Sequence, residues 1–445
     1  MNRIAVAAAG IALAVIMNGI GVAEDANGLR AAERQLLDAK TSDFSSTYTL
    51  AASRAAFLAD RRDVAIGTKL AGPLDAEAIK DWPGIMWGAG LINDRGREVR
   101  GATRQMLAAY AGKPEGFQRA ALGAAYSLFP GEFDAEVAAL LPQIESPREF
   151  ATAGYLLLLA GREPKVIAAI RTGMEARFPA WQEEPRLVAL EHRLSHDPAV
   201  ELAKRPPLAD LLTYEIRSGF PVVFSIQRQD RRHAGIAIVR GPDGRFVRRE
   251  DGTIFQIAQL AMARTDLPGT ITFGNSPQGV YTIRGTGLAT NQHIGTVPYL
   301  WSRLPIEAPV ADFLHDATAE APEWSEEFYL SLLPPSWRGY FPISEAWLAG
   351  RAGRSEIIVH GTTIDPEFYV GEAYYPNTPS AGCLCAKEFW NPEDGRLVYS
   401  DQLALLKAFL SGGKRNGYLV VVELDDRAAP VTLDEVIPTI IATGR

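Results

Sequence analysis

The period of the hydrophobic pattern changes at Arg205-Pro206-Pro207, and this constrains the fold more than any other feature of the 445-residue chain. Before that point apolar residues recur at three and four: Ala120, Ala121, Ala124 and Leu128, then Val137, Leu140 and Leu141, then Val166, Ala169 and Ile170. Such spacing lines one face of a helix. Pro130-Gly131, Ser146-Pro147 and Gly161 cut the pattern into segments. After that point β-branched runs dominate, at Val222-Val223-Phe224, Gly235 to Val239, Ile254 to Ile257 and Gly417 to Glu423. Pro242-Asp243-Gly244, between Val239 and Phe246, predicts a hairpin turn, and a helix is expected over about 401–410. The expected architecture is multidomain α + β: an all-α domain over 24–205, then a mostly antiparallel β domain over 206–445.

Within the helical half, Phe117 to Ile144 resembles Phe150 to Met174, with the leading phenylalanines 33 residues apart. That period suits stacked helical hairpins of the tetratricopeptide or HEAT kind, and an irregular alanine-rich bundle produces the same echo. This half shows no convergent chemistry. Its expected use is to dock an envelope protein partner or to position the other half. His192 and His196 stand four apart on a helix, but no third ligand lies nearby, so an exposed pair is expected there rather than a metal site.

The chain opens with Arg3, an apolar run from Ile4 to Ile20, and Gly21-Val22-Ala23 before Glu24-Asp25. A positive start, an apolar stretch and a small-residue exit describe a secretory signal peptide over 1–23, cleaved after Ala23. The expectation is an exported protein of the periplasm or cell envelope, with no stable membrane span after cleavage. A net charge of −8 supplies no basic field for phosphates, so no nucleic-acid partner is expected.

Both cysteines lie in Pro379-Ser380-Ala381-Gly382-Cys383-Leu384-Cys385. A bridge between residues two apart would close a very tight ring, and a zinc site would need two further ligands that no histidine cluster supplies. A free thiol remains, either inert or reactive. The turn formers Pro379, Ser380 and Gly382 favour a reactive Cys383, where Gly382 lets a carbonyl approach and successive N–H groups offer an oxyanion hole. His360 ends the strand-like run Ile357-Ile358-Val359, 23 residues upstream, and Gly361 permits a sharp turn after it. Brought together, such a pair is expected to rest as thiolate and imidazolium.

His360-Gly361-Thr362, followed after a tyrosine-rich loop by Ser380-x-Gly382-Cys383, resembles the signature of the L,D-transpeptidase catalytic domain (the YkuD type). Asn275-Ser276-Pro277-Gln278-Gly279-Val280-Tyr281-Thr282-Ile283 is similar to that family's upstream Thr-Pro-x-Gly segment. The resemblance covers roughly 208–424 and implies that family's catalytic fold for the second half. It also implies the chemistry: Cys383 attacks the third residue of a peptidoglycan stem tetrapeptide, His360 is the base, and D-alanine leaves a thioester. An amine acceptor then gives a 3→3 cross-link. In this correspondence the Gly361 carbonyl orients the histidine and the N–H groups of Gly382 and Cys383 form the oxyanion hole. Ser380, Thr362, Tyr374 and Tyr375 are expected to line the substrate cleft, and no metal or organic cofactor is implied. Ala381 stands where the family has histidine, and Cys385 where it often has arginine or asparagine, which puts the choice between amine and water in doubt. The alternatives are an L,D-carboxypeptidase or peptidoglycan hydrolase, and a non-catalytic wall-binding module.

An insertion at about 287–354 carries Trp301, Trp324, Trp337 and Trp347 with Tyr299, Phe328, Tyr340 and Phe341. Two uses stay open for these rings: the core of an added subdomain, or a lid that stacks on sugars.

Overall fold

The fold is that of a computed structural model describing residues 28–316 and 322–442; the expected signal peptide lies outside them. The periodic segments of the first half fold as helices. Ala76–Leu91 and Arg97–Ala108 both pack on Glu115–Ser127, which packs on Pro147–Leu159; Asp134–Leu140, Pro164–Arg177 and Pro185–Ser195 also pack on Pro147–Leu159. Of the two segments that echo each other in sequence, Phe150 to Met174 covers a packed helix pair, while the two helices of Phe117 to Ile144 each pack on Pro147–Leu159 instead. Their helices stack through one apolar core that includes Phe117, Phe133, Phe150, Ile170 and Leu190. Close approach is built in at Gly154, where a Cβ would stand 2.9 Å from Leu190, so the helix Pro147–Leu159 lies tightly against Pro185–Ser195.

Among its described residues the second half has ten strands: β1 (Val222–Arg228), β2 (Gly235–Arg240), β3 (Gln256–Leu260), β4 (Gly279–Gly287), β5 (Tyr299–Arg303), β6 (Val359–His360), β7 (Leu384–Ala386), β8 (Glu388–Trp390), β9 (Leu397–Ser400) and β10 (Asn416–Asp425). The L,D-transpeptidase-like fold expected here is corrected by the strand pairing. Eight strands close into a barrel in the order β1-β10-β4-β5-β6-β7-β3-β2, and β8 pairs with β9 alone. Closure rests on two parallel pairs, β1 with β10 and β6 with β7, which leave the barrel no open edge.

Strands β1, β2 and the first part of β10 are buried on both faces, which is why they read as continuous apolar runs. Val223, Val239, Ile257, Leu419 and Val421 pack with the helix Asp401–Leu410. That helix begins at Ser400, whose Oγ accepts the Leu403 N–H at 2.9 Å. Phe224, Ile238, Val420 and Val422 turn to the other face. They pack there with the helices Leu208–Thr213 and Leu433–Ala442 and with the insertion. Trp337, Tyr340 and Trp347 are buried in this second core, with Trp324 and Phe328 against it, so these insertion aromatics are subdomain core rather than a lid.

The halves are joined more closely than the change in texture suggests. The helix Ala31–Asp38 belongs with the barrel: Leu36 enters its core, and Arg415 holds Glu33 at 3.1 Å in a buried ion pair. In return Leu267 and Ile271, from the loop after β3, enter the helical core. Tyr369 Oη donates to Leu91 O at 2.7 Å, and Asn93 and Arg95 both reach Glu372 at 3.0 Å. The helical body therefore buttresses the loops at 261–276 and 363–375. Among the described residues no helix is long and apolar enough to cross a membrane.

Candidate active site

The site is built where β6 and β7 run side by side. Val359 and Leu384 are register partners and face the barrel core together. Alternation turns His360 and Cys385 to the opposite face, and in the register the two are level. Cys383 lies one residue before β7, in the turn that leads into it.

His360 is buried, and its Nδ1 lies 2.6 Å from the Gly361 carbonyl. A carbonyl only accepts, so Nδ1 carries the proton and Nε2 keeps its lone pair. Burial holds the imidazole down to about 4, against a weaker upward pull from that carbonyl, and the ring is neutral at pH 7. Cys383 is half-buried, its Sγ 3.5 Å from Glu356 O. Burial pushes its thiol up to about 11, while the Ile358 N–H and the Arg354 guanidinium favour the thiolate. The resting pair is thus thiol and neutral imidazole. This corrects the expected thiolate and imidazolium: desolvation penalises both charged forms, and among the described residues no hydrogen bond joins Sγ to His360.

The turn that presents Cys383 is held from three sides. Gly382 has φ +123°, and a Cβ there would stand 2.5 Å from Arg354 Nη2 and 2.6 Å from Gly274 O. Ser380 Oγ donates to Cys383 O at 2.8 Å and accepts the Gly382 N–H at 3.0 Å. Ser276 Oγ donates to Gly382 O at 2.9 Å, so the two sequence motifs converge on one turn. Ser380 occupies the Gly382 N–H, so of the two N–H groups expected to form an oxyanion hole only that of Cys383 has no partner among the described residues.

Beneath the turn lies Arg354, buried and donating to Asn275 O at 2.8 Å, Gly274 O at 2.9 Å and Gly269 O. Its charge lies close enough to favour the thiolate. Sequence reasoning missed it, since a lone arginine at the end of the insertion carries no motif. It also missed Glu388, a buried carboxyl under the His360-Gly361 turn.

Other sequence-derived residues fall outside the pair. Thr362 is buried, its Oγ1 accepting from the Ile364 N–H at 3.0 Å and from Thr378 Oγ1 at 3.2 Å. Tyr374 is buried against Tyr369, whereas Tyr375 is exposed and donates to Glu367 at 3.1 Å. Cys385 is 3% exposed, 3.8 Å from Thr378 Oγ1, and burial pushes its thiol up to about 12. His196 is exposed as expected, whereas His192 is half-buried, stacked between His196 and Phe341 and 2.5 Å from Glu201, which corrects the expectation for that one residue. Among the described residues no group of three or more histidine, cysteine, aspartate or glutamate side chains is placed to hold a metal ion. A cleft at the seam of the halves, lined by Phe57, Phe368, His293, Arg54 and Asp365, opens beside Thr363.

No family model matches the chain, and no curated protein or solved structure matches it either.

Proposed function

We propose that this chain is a cysteine acyltransferase acting on peptidoglycan stem peptides, with an L,D-transpeptidase reaction. The observation that carries the proposal is the half-buried Cys383 thiol in the turn entering β7, the strand that pairs with the one ending in a neutral, Nδ1-protonated His360. The order of the two motifs along the chain supports the substrate class. The reading rests on this site and not on likeness of fold, because sites of one chemistry recur on unrelated folds.

His360 Nε2 takes the proton of Cys383 as sulfur attacks the carbonyl carbon of the third stem residue. Charge then develops on the carbonyl oxygen, facing the Cys383 N–H. As the bond to the terminal D-alanine nitrogen breaks, the imidazolium returns its proton to that amine and a thioester remains. An amine from a neighbouring stem, deprotonated by the same ring, displaces the sulfur and forms the 3→3 link. Water in its place releases a tripeptide, which is the carboxypeptidase outcome. A neutral resting pair fits this scheme, since the thiol needs to lose its proton only as sulfur attacks. Export to the cell envelope, where this substrate lies, belongs to the same proposal.

The experiment is intact-mass spectrometry of the protein with tetrapeptide muropeptides. A thioester adduct absent from Cys383→Ala supports the reading, and product masses separate transfer from hydrolysis. Peptidoglycan binding that is unchanged in Cys383→Ala, with no adduct in the wild type, would establish a wall-binding module instead.

A further inference from the structure

The turn that aims His360 is packed on a buried carboxyl. Glu388, at the start of β8, is 3% exposed and lies against the alpha carbons of two glycines from separate segments. A Cβ on Gly361 would stand 2.1 Å from its carboxyl carbon, and a Cβ on Gly295 would stand 2.0 Å from its Oε2. Neither position can carry a side chain while Glu388 stays in place. This gives a physical reason for glycine directly after the histidine: the residue there must leave room for an acid.

The remaining contacts fix the same peptide. Ser400 Oγ, opposite Glu388 in the β8–β9 pair, donates to Oε1 at 2.8 Å, while Oε2 has no hydrogen-bond partner among the described residues. The Gly361 carbonyl accepts the Gly295 N–H at 3.1 Å as well as His360 Nδ1 at 2.6 Å. Two segments therefore clasp Gly361 while the carboxyl wedges it from below, and its carbonyl is left facing the imidazole. A ring whose proton is held on Nδ1 presents the Nε2 lone pair, the form a general base requires.

We propose that Glu388 is a positioning residue for His360: by packing against Gly361 and Gly295 it orients the Gly361 carbonyl that holds the histidine proton on Nδ1. The inference rests on the reading of His360 as the base, and it adds the residue that sets the tautomer. Glu388 touches neither substrate nor the reacting sulfur, and its effect passes through one peptide group.

The test reads the tautomer directly in the full chain. The ring nitrogens of 15N-histidine-labelled protein are observed by NMR, and the His360 signals are assigned by their loss in His360→Ala. Wild type is expected to show the proton on Nδ1. Glu388→Gln keeps the size of the wedge and an acceptor for Ser400, and is expected to retain that signature. Glu388→Asp withdraws the wedge by one methylene and is expected to shift His360 toward the Nε2-protonated form. Where muropeptides are turned over, the same change lowers kcat about 10- to 100-fold with KM unchanged, the cost of misplacing a reacting group. Gly361→Ala, which drives a methyl group against the carboxyl, is expected to move the tautomer in the same sense. The inference is overturned if folded Glu388→Asp keeps the proton on Nδ1 as wild type does, or if wild type carries it on Nε2. A protein that shows the tautomer shift but forms no thioester would remove the proposed function and leave this inference standing.

Discussion

His360 is level with Cys385 in the parallel pairing of β6 and β7, and Cys383 lies two residues back from that partner. The histidine thus has one buried thiol level with it and a second, half-buried one in the turn just before that strand. Burial separates their roles, because only Cys383 is accessible to a substrate carbonyl. Cys383→Ala is expected to abolish the muropeptide adduct and to lower turnover more than 1000-fold, on the order expected for loss of a covalent nucleophile. Cys385→Ala is expected to keep the adduct and to cost about 1 kcal/mol of stability, as a small buried truncation does. Intact mass and thermal unfolding of the two variants check both outcomes.

Thiol reactivity should follow the raised Cys383 value rather than that of a free cysteine. With the thiol pushed up to about 11, the thiolate fraction grows tenfold per pH unit from pH 7 to about 10. Iodoacetamide labelling of the resting protein, followed by mass, should therefore still be rising steeply at pH 9.5. A plateau near pH 8.5 would contradict the burial described for this sulfur.

Stability should carry the signature of Glu388. Its carboxyl is pushed up to about 8 by burial, so between about pH 4.5 and pH 8 the folded chain holds a proton that the unfolded chain has released. Stability contributed by this group is complete below pH 4.5 and is lost as pH rises toward 8, at up to about 1.4 kcal/mol per pH unit. Buried His360 and half-buried His293 and His315, each held down to about 4, act in the opposite sense below pH 6.5. Glu388→Gln removes only the first contribution. Urea unfolding at pH 5 and pH 8 should therefore show a smaller loss at high pH in the variant than in wild type.

Gly382→Ala should fail at the turn itself. A methyl group there meets Arg354 Nη2 and Gly274 O at a backbone angle that L-residues rarely adopt. A cost of about 2–4 kcal/mol is expected from strain and overpacking together, with loss of the adduct. Thermal unfolding and intact mass measure the two effects separately.

Glu33→Ala tests whether the first helix is part of the barrel. Removing one partner of the buried pair with Arg415 leaves a buried charge, at a cost of about 3–5 kcal/mol. Limited proteolysis of the variant should cut first within 28–50. Equal protection in wild type and variant would show that the helix is held by other contacts.

The elements with strong local signals are those legible in the chain. The helix over 401–410, the Pro-Asp-Gly turn before Phe246 and the long apolar strands lie where period and turn chemistry put them. Barrel closure was not legible, because β6 and β7 are two and three residues long and show no alternation. Their pairing also joins segments that only the completed fold brings together. Cys383 and His360 stood out by residue type. Arg354 and Glu388 did not, because a buried charge is recognised by its surroundings, and those come from distant strands and loops.

The parallel pairing of β1 with β10 sets an order of assembly. The helices of the first half make mostly local contacts, though Leu267 and Ile271 complete their core from downstream. β1 and β4 each wait with one raw edge until the last strand fills the slot between them. A chain cut short before β10 would display two sticky borders on an otherwise finished molecule, an invitation to clump with its neighbours. Strand β10 is therefore the piece that seals the last gap in this wall.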